Sequence, residues 1–168
     1  TTQDFERYQA LWKANGRGVD LNQNLPALWD SITTGPSHAS YANYKGTSAL
    51  SEPESKALAN LANSANWTMT ISYHSMGNLV YWDFAGNKVV EQSKALAELV
   101  TGISGYRTNR SSGKGGFKDY VQIKDSPIPS LTIEVGSVAC PMPASEFGNV
   151  WNSNQSILAA LAAYAADH

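Results

Sequence analysis

Pro129-Ser-Leu-Thr-Ile-Glu-Val135 is an apolar, β-branched stretch that carries one acidic residue, Glu134. Its composition predicts a buried β-strand. A carboxylate among aliphatic residues is costly to desolvate unless it is paired, protonated or directed into a site. Glu134 is therefore a candidate for chemistry. The alternative is an acid at a strand end that faces solvent or a neighbouring lysine.

Two more strands are predicted upstream, over Trp67-Thr-Met-Thr-Ile-Ser-Tyr73 and Asn78-Leu-Val-Tyr-Trp82. Both are rich in the β-branched and aromatic residues that favour strands. His74 stands where the first of them ends. A neutral imidazole is a common metal ligand, although a lone histidine at a strand end is more often a hydrogen-bonded structural residue.

A shorter β-like run, Arg17-Gly-Val-Asp-Leu-Asn22, is closed by Asn22-Gln23 and by Pro26. We predict a strand here that delivers two polar side chains to a loop. The amides of Asn22 and Gln23 offer neutral donors and acceptors for a peptide or a carboxylate. The alternative for Asn22 is an Asx-type turn.

Helical patterns alternate with these strands. A capping-box pattern, Ser51-Glu-Pro-Glu54, predicts a helix over about 52–63. Amphipathic spacing predicts a second helix over 88–100, and the tail from Ser145 onward is predicted as one long helix. The Gly-rich stretch 105–118 is predicted as a long mobile loop. Alternation of helices with hydrophobic strands indicates an α/β fold whose sheet is covered by helices on both faces.

Composition, length and the number of cysteines exclude several classes of protein and of site. The 168 residues include 12 basic and 14 acidic side chains, a net charge of -2, which excludes a polybasic nucleic-acid binder. Length predicts one domain. No stretch reaches the roughly 20 apolar residues that span a bilayer. Cys140 is the only cysteine, so an intrachain disulfide and a cysteine-based zinc cluster are both excluded.

Six short segments that span nearly the whole chain occur in one order: Trp12-Lys-Ala-Asn15, Gly18-Val-Asp-Leu-Asn-Gln-Asn-Leu-Pro26, Ser51-Glu-Pro-Glu54, Ile71-Ser-Tyr-His-Ser75, Gly105-Tyr106 and Pro129-Ser-Leu-Thr-Ile-Glu-Val-Gly136. Their order and spacing resemble the zinc carboxypeptidases of the carboxypeptidase A type. Cys140-Pro-Met-Pro143 and Glu146-Phe147 look more like the bacterial branch that includes γ-D-glutamyl-diamino-acid peptidases of cell-wall peptides. This resemblance implies a mixed, mostly parallel sheet, a zinc cofactor and a peptide substrate.

The resemblance also implies roles for single residues. His74 matches the third zinc ligand, and Glu134 matches the general base that takes a proton from the zinc-bound water and returns it to the leaving amine. Tyr106 matches a mobile tyrosine that closes over the substrate; its alternative is an aromatic packed on the sheet. Asn22 with Gln23 matches the pair that grips a terminal carboxylate.

Lys13 falls where the family has a cation that polarises the scissile carbonyl, and Arg17 is a second candidate for that role. Gln23 stands where typical carboxypeptidases have arginine. A neutral amide binds a carboxylate about half as strongly per contact as a charged guanidinium does. The substitution therefore fits a substrate without an ordinary free α-carboxylate beside the cleaved bond, such as a γ-D-Glu-diaminopimelate peptide of the peptidoglycan stem.

A His-x-x-Glu pair, which supplies the first two zinc ligands of the family, is absent: the other histidines are His38 and His168. Catalytic zinc needs roughly three protein ligands. We therefore expect residues 1–168 to be the C-terminal part of one catalytic domain, without its N-terminal part, and inactive in isolation. One alternative is a metal-free, catalytically silent peptide-binding homologue. The other is an α/β domain in which His74 and Glu134 are structural.

A missing N-terminal part would also supply strands to the sheet. The chain would then expose a hydrophobic sheet edge, which would bind either that missing portion or a second copy. The resemblance to cell-wall peptidases implies a location in the bacterial cell envelope or outside the cell, with the cytoplasm left open.

Overall fold

The computed structural model describes Tyr8 and residues 10–167. These residues form two compact units. The first, termed the loop unit, contains the described residues up to Asn66 and the segment Gly113–Tyr120. The second, termed the sheet unit, contains Trp67–Ser112 and the described residues from Val121 onward. That residues 1–168 belong to one catalytic domain remains a prediction.

Four strands form the sheet of the sheet unit: β1 Thr70–His74, β2 Leu79–Asp83, β3 Arg107–Arg110 and β4 Ser130–Glu134. Their order is β1-β4-β2-β3. The β1–β4 and β2–β3 pairs are parallel, and the β2–β4 pair is antiparallel. The predicted α/β class with a mixed, mostly parallel sheet is therefore confirmed.

The helices are α1 Pro53–Asn63, α2 Val90–Ser104, α3 Phe117–Ile123, α4 Phe147–Asn154 and α5 Ile157–Asp167. The helix predicted over 52–63 is confirmed, but its cap differs, because Glu52 and not Ser51 occupies the N-cap position. Helix α2 continues beyond the predicted end and stops at Gly105, whose φ of 71° is left-handed. A glycine adopts that conformation without steric cost.

Three other local predictions were wrong. The run 17–22 is not a strand; the chain forms a 3-10 turn over Leu21–Gln23, because the side chain of Asp20 caps the amide of Asn22. The predicted loop 105–118 contains β3 and the start of α3. The single tail helix is two helices, α4 and α5.

Strands β1 and β4 of the sheet have one apolar and one polar face. Val80, Leu131 and Ile133 are fully buried in a hydrophobic core with Leu96 of α2 and Ile157 of α5. Side chains alternate between faces along a strand. Residues 130, 132 and 134 of β4 and residues 70, 72 and 74 of β1 therefore lie on the opposite face, which carries Ser, Thr, His and Glu. The sequence predicted strands that are hydrophobic throughout. Instead, β1 and β4 carry their polar groups on one side.

Candidate active site

His74 and Glu134 are direct partners in the register of the parallel strands β1 and β4. Directly paired residues project to the same face of a sheet, and neighbouring strands lie about 4.8 Å apart. His74 is exposed and Glu134 is half-buried. The fold therefore places an imidazole and a carboxylate side by side at the carboxyl ends of two strands.

Backbone hydrogen bonds fix these two strand ends to each other. The amide of Val135 donates to the carbonyl of His74 at 2.8 Å. The carbonyl of Gly136 accepts from the amides of Gly77 at 2.7 Å and Asn78 at 3.1 Å. The segments that follow His74 and Glu134 are thus tied together immediately beyond the pair.

Gly136 has no acceptable substitute at this point. Its φ is 75°, and a Cβ there would lie 2.5 Å from the Met142 sulfur and 3.0 Å from Oε2 of Glu146. Both the backbone conformation and the space therefore require glycine.

Glu146 is a buried residue. It belongs to the Glu146-Phe147 segment that resembles the bacterial branch, but the sequence predicted no role for it. Its two carboxylate oxygens accept hydrogen bonds from the amides of Ser137 and Val138, each at 2.9 Å. It lies immediately before α4, where a negative charge is favourable. An acid at a predicted helix start was the available signal for this role.

Tyr106 is buried, with 9% of its surface exposed, and belongs to the hydrophobic core. Its hydroxyl accepts a hydrogen bond from Nδ2 of Asn154 at 2.9 Å. Beside it lies a cavity of about 120 Å³ that is also lined by Asn78, Gly136 and Glu146. The side chain thus has the position described by the packed-aromatic alternative, and closure over a substrate remains a prediction.

The exposure of Tyr73, next to His74, differs from that of Tyr106. Partial burial, and then the nearby Tyr106, raise the pKa of Tyr73. Tyr73 is therefore a neutral donor at neutral pH.

In the loop unit, Asn22 and Gln23 lie on the 3-10 turn that Asp20 caps. The Asn22 side chain is exposed, whereas Gln23 is half-buried. Nε2 of Gln23 donates to Oδ1 of Asn43 at 3.2 Å. Oε1 of Gln23 is buried without a hydrogen-bond partner in the described part of the chain, and a buried acceptor left in that state is costly. The side-chain amide of Asn22 is thus presented to solvent, whereas the side-chain amide of Gln23 is partly engaged in an internal hydrogen bond.

The two candidate cations of the loop unit differ in their surroundings. Lys13 is exposed. Nε of Arg17 lies 3.5 Å from Oε2 of Glu52, which is almost completely buried. Burial acts to raise the pKa of Glu52, but hydrogen bonds from Asn15 and Ser51 and the charge of Arg17 outweigh it and hold that pKa below its usual value. Arg17 therefore stabilises a buried acid, and Lys13 is the better candidate for a cation that faces a substrate.

Metal coordination needs more donors than the described residues offer in one place. Within Tyr8 and residues 10–167, no group of three or more histidine, cysteine, aspartate or glutamate side chains could hold a metal ion. Structural and catalytic zinc sites have three or four protein ligands. His74 fits one of these ligands, but the donors among the described residues do not form a complete zinc site.

The comparisons with known proteins identify a class of metal-dependent hydrolases. The model of the zinc carboxypeptidase family matches residues 2–156. The chain therefore belongs to the zinc carboxypeptidase family, whose members are zinc-dependent peptidases.

Two curated relatives are similar over most of the chain. The γ-D-glutamyl-L-diamino acid endopeptidase 1 of Lysinibacillus sphaericus is 34% identical over 151 residues, which cover 89% of this chain and 38% of the relative. The uncharacterized protein YqgT of Bacillus subtilis is 32% identical, with 88% of this chain and 40% of the relative covered. The chain thus spans about two-fifths of the length of these relatives.

Solved structures share the fold. Bovine thrombin-activatable fibrinolysis inhibitor matches with a TM-score of 0.74 and 20% identity, over 92% of this chain and 59% of that one. The murein-tripeptide amidase of Escherichia coli O157 matches with a TM-score of 0.56 and 21% identity, over 89% of this chain and 59% of that one. No helix in the part of the chain that the structure describes is both long and apolar enough to cross a membrane.

Proposed function

We propose that the protein containing this chain hydrolyses γ-D-glutamyl-diamino-acid bonds in cell-wall peptides. The observation that carries the proposal is the direct pairing of His74 with Glu134 on one sheet face. It is supported by the 34% identity to a γ-D-glutamyl-L-diamino acid endopeptidase and by the fold shared with a murein-tripeptide amidase. A location in the bacterial envelope or outside the cell belongs to the same proposal.

His74 supplies one zinc ligand in this proposal, and polypeptide outside the chain supplies the others. A bound zinc ion lowers the pKa of its water to about 7. Glu134, beside His74 in the sheet, accepts a proton from the attacking water and returns it to the leaving amine. One carboxyl group can serve in both steps because it is a base when ionised and an acid once it has taken up the proton.

Substrate binding is assigned to side chains that offer polar groups without a strong carboxylate clamp. Asn22 and Gln23 contribute amides, and Lys13, with Arg17 as the second candidate, polarises the scissile carbonyl. Neutral amides suit a γ-linked peptide better than a C-terminal amino acid with an α-carboxylate, which arginine would bind by a charge-assisted pair. Tyr106 closes the site only if it leaves its core position.

β1 is an edge strand of the described sheet. An edge strand presents unpaired backbone groups to any strand that can add to it. Its partner in this proposal is a strand from the remainder of the protein, and a second copy of the chain is the alternative. Size-exclusion chromatography of the 168 residues with and without the upstream polypeptide distinguishes the two.

The test uses the complete protein that contains residues 1–168, termed the intact polypeptide. The intact polypeptide is loaded with zinc and assayed with two substrates. One is L-Ala-γ-D-Glu-meso-diaminopimelyl-D-Ala, in which the diaminopimelate carboxyl beside the cleaved bond is in peptide linkage, and the other is an ordinary peptide with a free C-terminal amino acid. Mass spectrometry of the products should show cleavage of the γ-linked peptide in preference to the ordinary one. Preferential release of ordinary C-terminal residues would contradict the proposed substrate.

A metal-free peptide-binding function is the second candidate. Under the main proposal, equilibrium dialysis should give stoichiometric zinc for the intact polypeptide and weak or no zinc for the 168 residues alone. Peptide binding by an intact polypeptide that holds no zinc would instead establish the binding function.

A further inference from the structure

We propose that Arg107 binds a carboxylate of the substrate beside the scissile bond. This inference rests on the proposed function and deepens it, because it assigns a charged group to substrate selection. Nothing in the sequence patterns singled out Arg107. The sheet register does so.

Four residues form one row across the sheet. His74 pairs with Glu134, Glu134 pairs with Leu79 and Leu79 pairs with Arg107. Paired residues share a face, so Arg107 projects from the same face as the histidine and the glutamate. Two strand spacings place its backbone about 10 Å from that of Glu134.

Arg107 also differs from the other arginine of β3. Nη2 of Arg110 lies 2.6 Å from Oδ2 of Asp83, a buried acid. Arg107 is exposed, and within the described ranges no carboxylate lies in ion-pair distance of it. One arginine of the strand is therefore neutralised internally, and the other keeps its charge for an external anion.

An edge-strand cation often serves only to discourage pairing with another sheet. The position of Arg107 in the sheet indicates an additional role. In the next row on the same face of the sheet, the partners are Ser72, Thr132, Tyr81 and Asn109, none of which is charged. The cation stands in the row of His74 and Glu134, where a substrate would be cleaved.

The chemistry of a γ-D-glutamyl bond supplies a matching anion. Its scissile carbonyl is the side-chain carbonyl of D-glutamate, so the α-carboxylate of that residue stays free. Four bonds separate the two carbons, a span of at most about 5 Å. With the carbonyl near Glu134, this carboxylate lies between Glu134 and Arg107, within reach of a long guanidinium side chain that binds carboxylates in bidentate fashion.

The test compares three forms of L-Ala-γ-D-Glu-meso-diaminopimelate: the free peptide, the same peptide with the D-glutamate α-carboxylate amidated, and the peptide amidated on diaminopimelate. The intact polypeptide is assayed as wild type, Arg107→Gln, Arg107→Lys and Arg110→Gln. Arg107→Gln should lower kcat/KM for the free peptide by about 10- to 100-fold, the strength of a charge-assisted hydrogen bond. It should change cleavage of the D-glutamate amide by less than about twofold, because that peptide has lost the group that the guanidinium binds.

Arg107→Lys should restore part of the loss, since lysine keeps the charge but not the bidentate geometry. Arg110→Gln should leave the preference between the peptides unchanged. Equal losses for all three peptides, or none, would overturn the inference. A loss confined to the peptides whose diaminopimelate carboxylate is free would reassign the partner and overturn the choice of D-glutamate.

Binding separates this inference from the proposed function. Titration of the same peptides into the Glu134→Gln protein measures affinity without hydrolysis. A preference for the free D-glutamate carboxylate that disappears in Arg107→Gln supports the inference even if the wild type hydrolyses none of the peptides. Absence of that preference contradicts it even if hydrolysis is observed.

Discussion

Glu134 is the direct register partner of His74 in the parallel strands β4 and β1, and the two backbones are joined by the hydrogen bond from the Val135 amide to the His74 carbonyl. Two strands far apart in sequence therefore fix the spacing between the proposed metal ligand and the proposed base. The pair is built on regular sheet backbone, which holds a catalytic geometry better than a loop does.

Glu134→Gln should abolish hydrolysis by the intact polypeptide while zinc stays bound. The amide is nearly the same size as the carboxylate but cannot accept a proton at neutral pH. Loss of a general base costs roughly 100- to 10,000-fold in kcat. Activity is measured with the γ-linked peptide, and zinc by atomic absorption after gel filtration. Turnover within about twofold of the wild type would refute the role of Glu134.

His74→Ala should act on the metal rather than on the proton transfer. Removal of one of three protein ligands should weaken zinc retention, and activity should fall with zinc occupancy. Competition with a chromophoric chelator measures the zinc affinity. His38→Ala is the matched control, since His38 lies in the loop unit and has no assigned ligand role; it should leave the affinity unchanged. An unaltered affinity in His74→Ala would remove His74 from the ligand set.

Much of this arrangement could be predicted from the sequence. The strands around Ile71 and Ile133 and the helix that begins at Pro53 depend on local sequence preferences. Such elements can be predicted without knowledge of the tertiary structure. The roles of His74 and Glu134 came from isolated polar residues at strand ends and from a family resemblance. Their pairing could not be read from the sequence, because strand order and register are long-range properties.

The failures have local physical causes. Arg17–Asn22 has strand-like composition, but the Asp20 side chain accepts a hydrogen bond from the Asn22 amide and favours a tight turn. Arg107–Arg110 is too polar to be recognised as a strand, yet it pairs with β2 at the edge of the sheet, where water solvates all four side chains. Tyr106 is amphipathic, and only the fold decides that its ring joins the core.

Glu146→Ala should destabilise the chain and loosen the segment after Glu134. The substitution leaves the amides of Ser137 and Val138 without the acceptors that now bind them. Ser137 and Val138 are exposed, so water can partly replace the lost acceptor, and each bond contributes about 1 kcal/mol. We expect a loss of about 1–3 kcal/mol in the free energy of urea unfolding, on the same basis. Amide hydrogen exchange at residues 137 and 138 should also accelerate.

Glu146→Gln keeps one strong acceptor oxygen and should lose less stability, with faster exchange at one of the two amides. If Glu146→Ala left both amides as protected as in the wild type, the carboxylate would not be what orders this segment.

Glu52→Gln should make the stability of the loop unit less dependent on pH. Hydrogen bonds and the charge of Arg17 hold the pKa of Glu52 below its usual value of 4.5 despite burial. A carboxyl group whose pKa is lower in the folded state than in the unfolded state stabilises the fold above the unfolded pKa, and this contribution is lost as pH falls through the folded pKa. At pH 7 the variant should therefore be less stable by about 2 kcal/mol, the size of a hydrogen bond to a charged group.

The difference between wild type and Glu52→Gln should shrink as pH falls below 4.5, because the wild type then loses its charge as well. Glu54→Gln is the matched control: Glu54 is exposed and accepts only long bonds of 3.3 Å from the same Asn15 amide. It should change stability by less than about 0.5 kcal/mol. Urea unfolding monitored by tryptophan fluorescence between pH 3 and pH 7 measures all three proteins. A stability gap that widened toward acid pH would show that Glu52 is protonated in the fold, contrary to the network drawn around it.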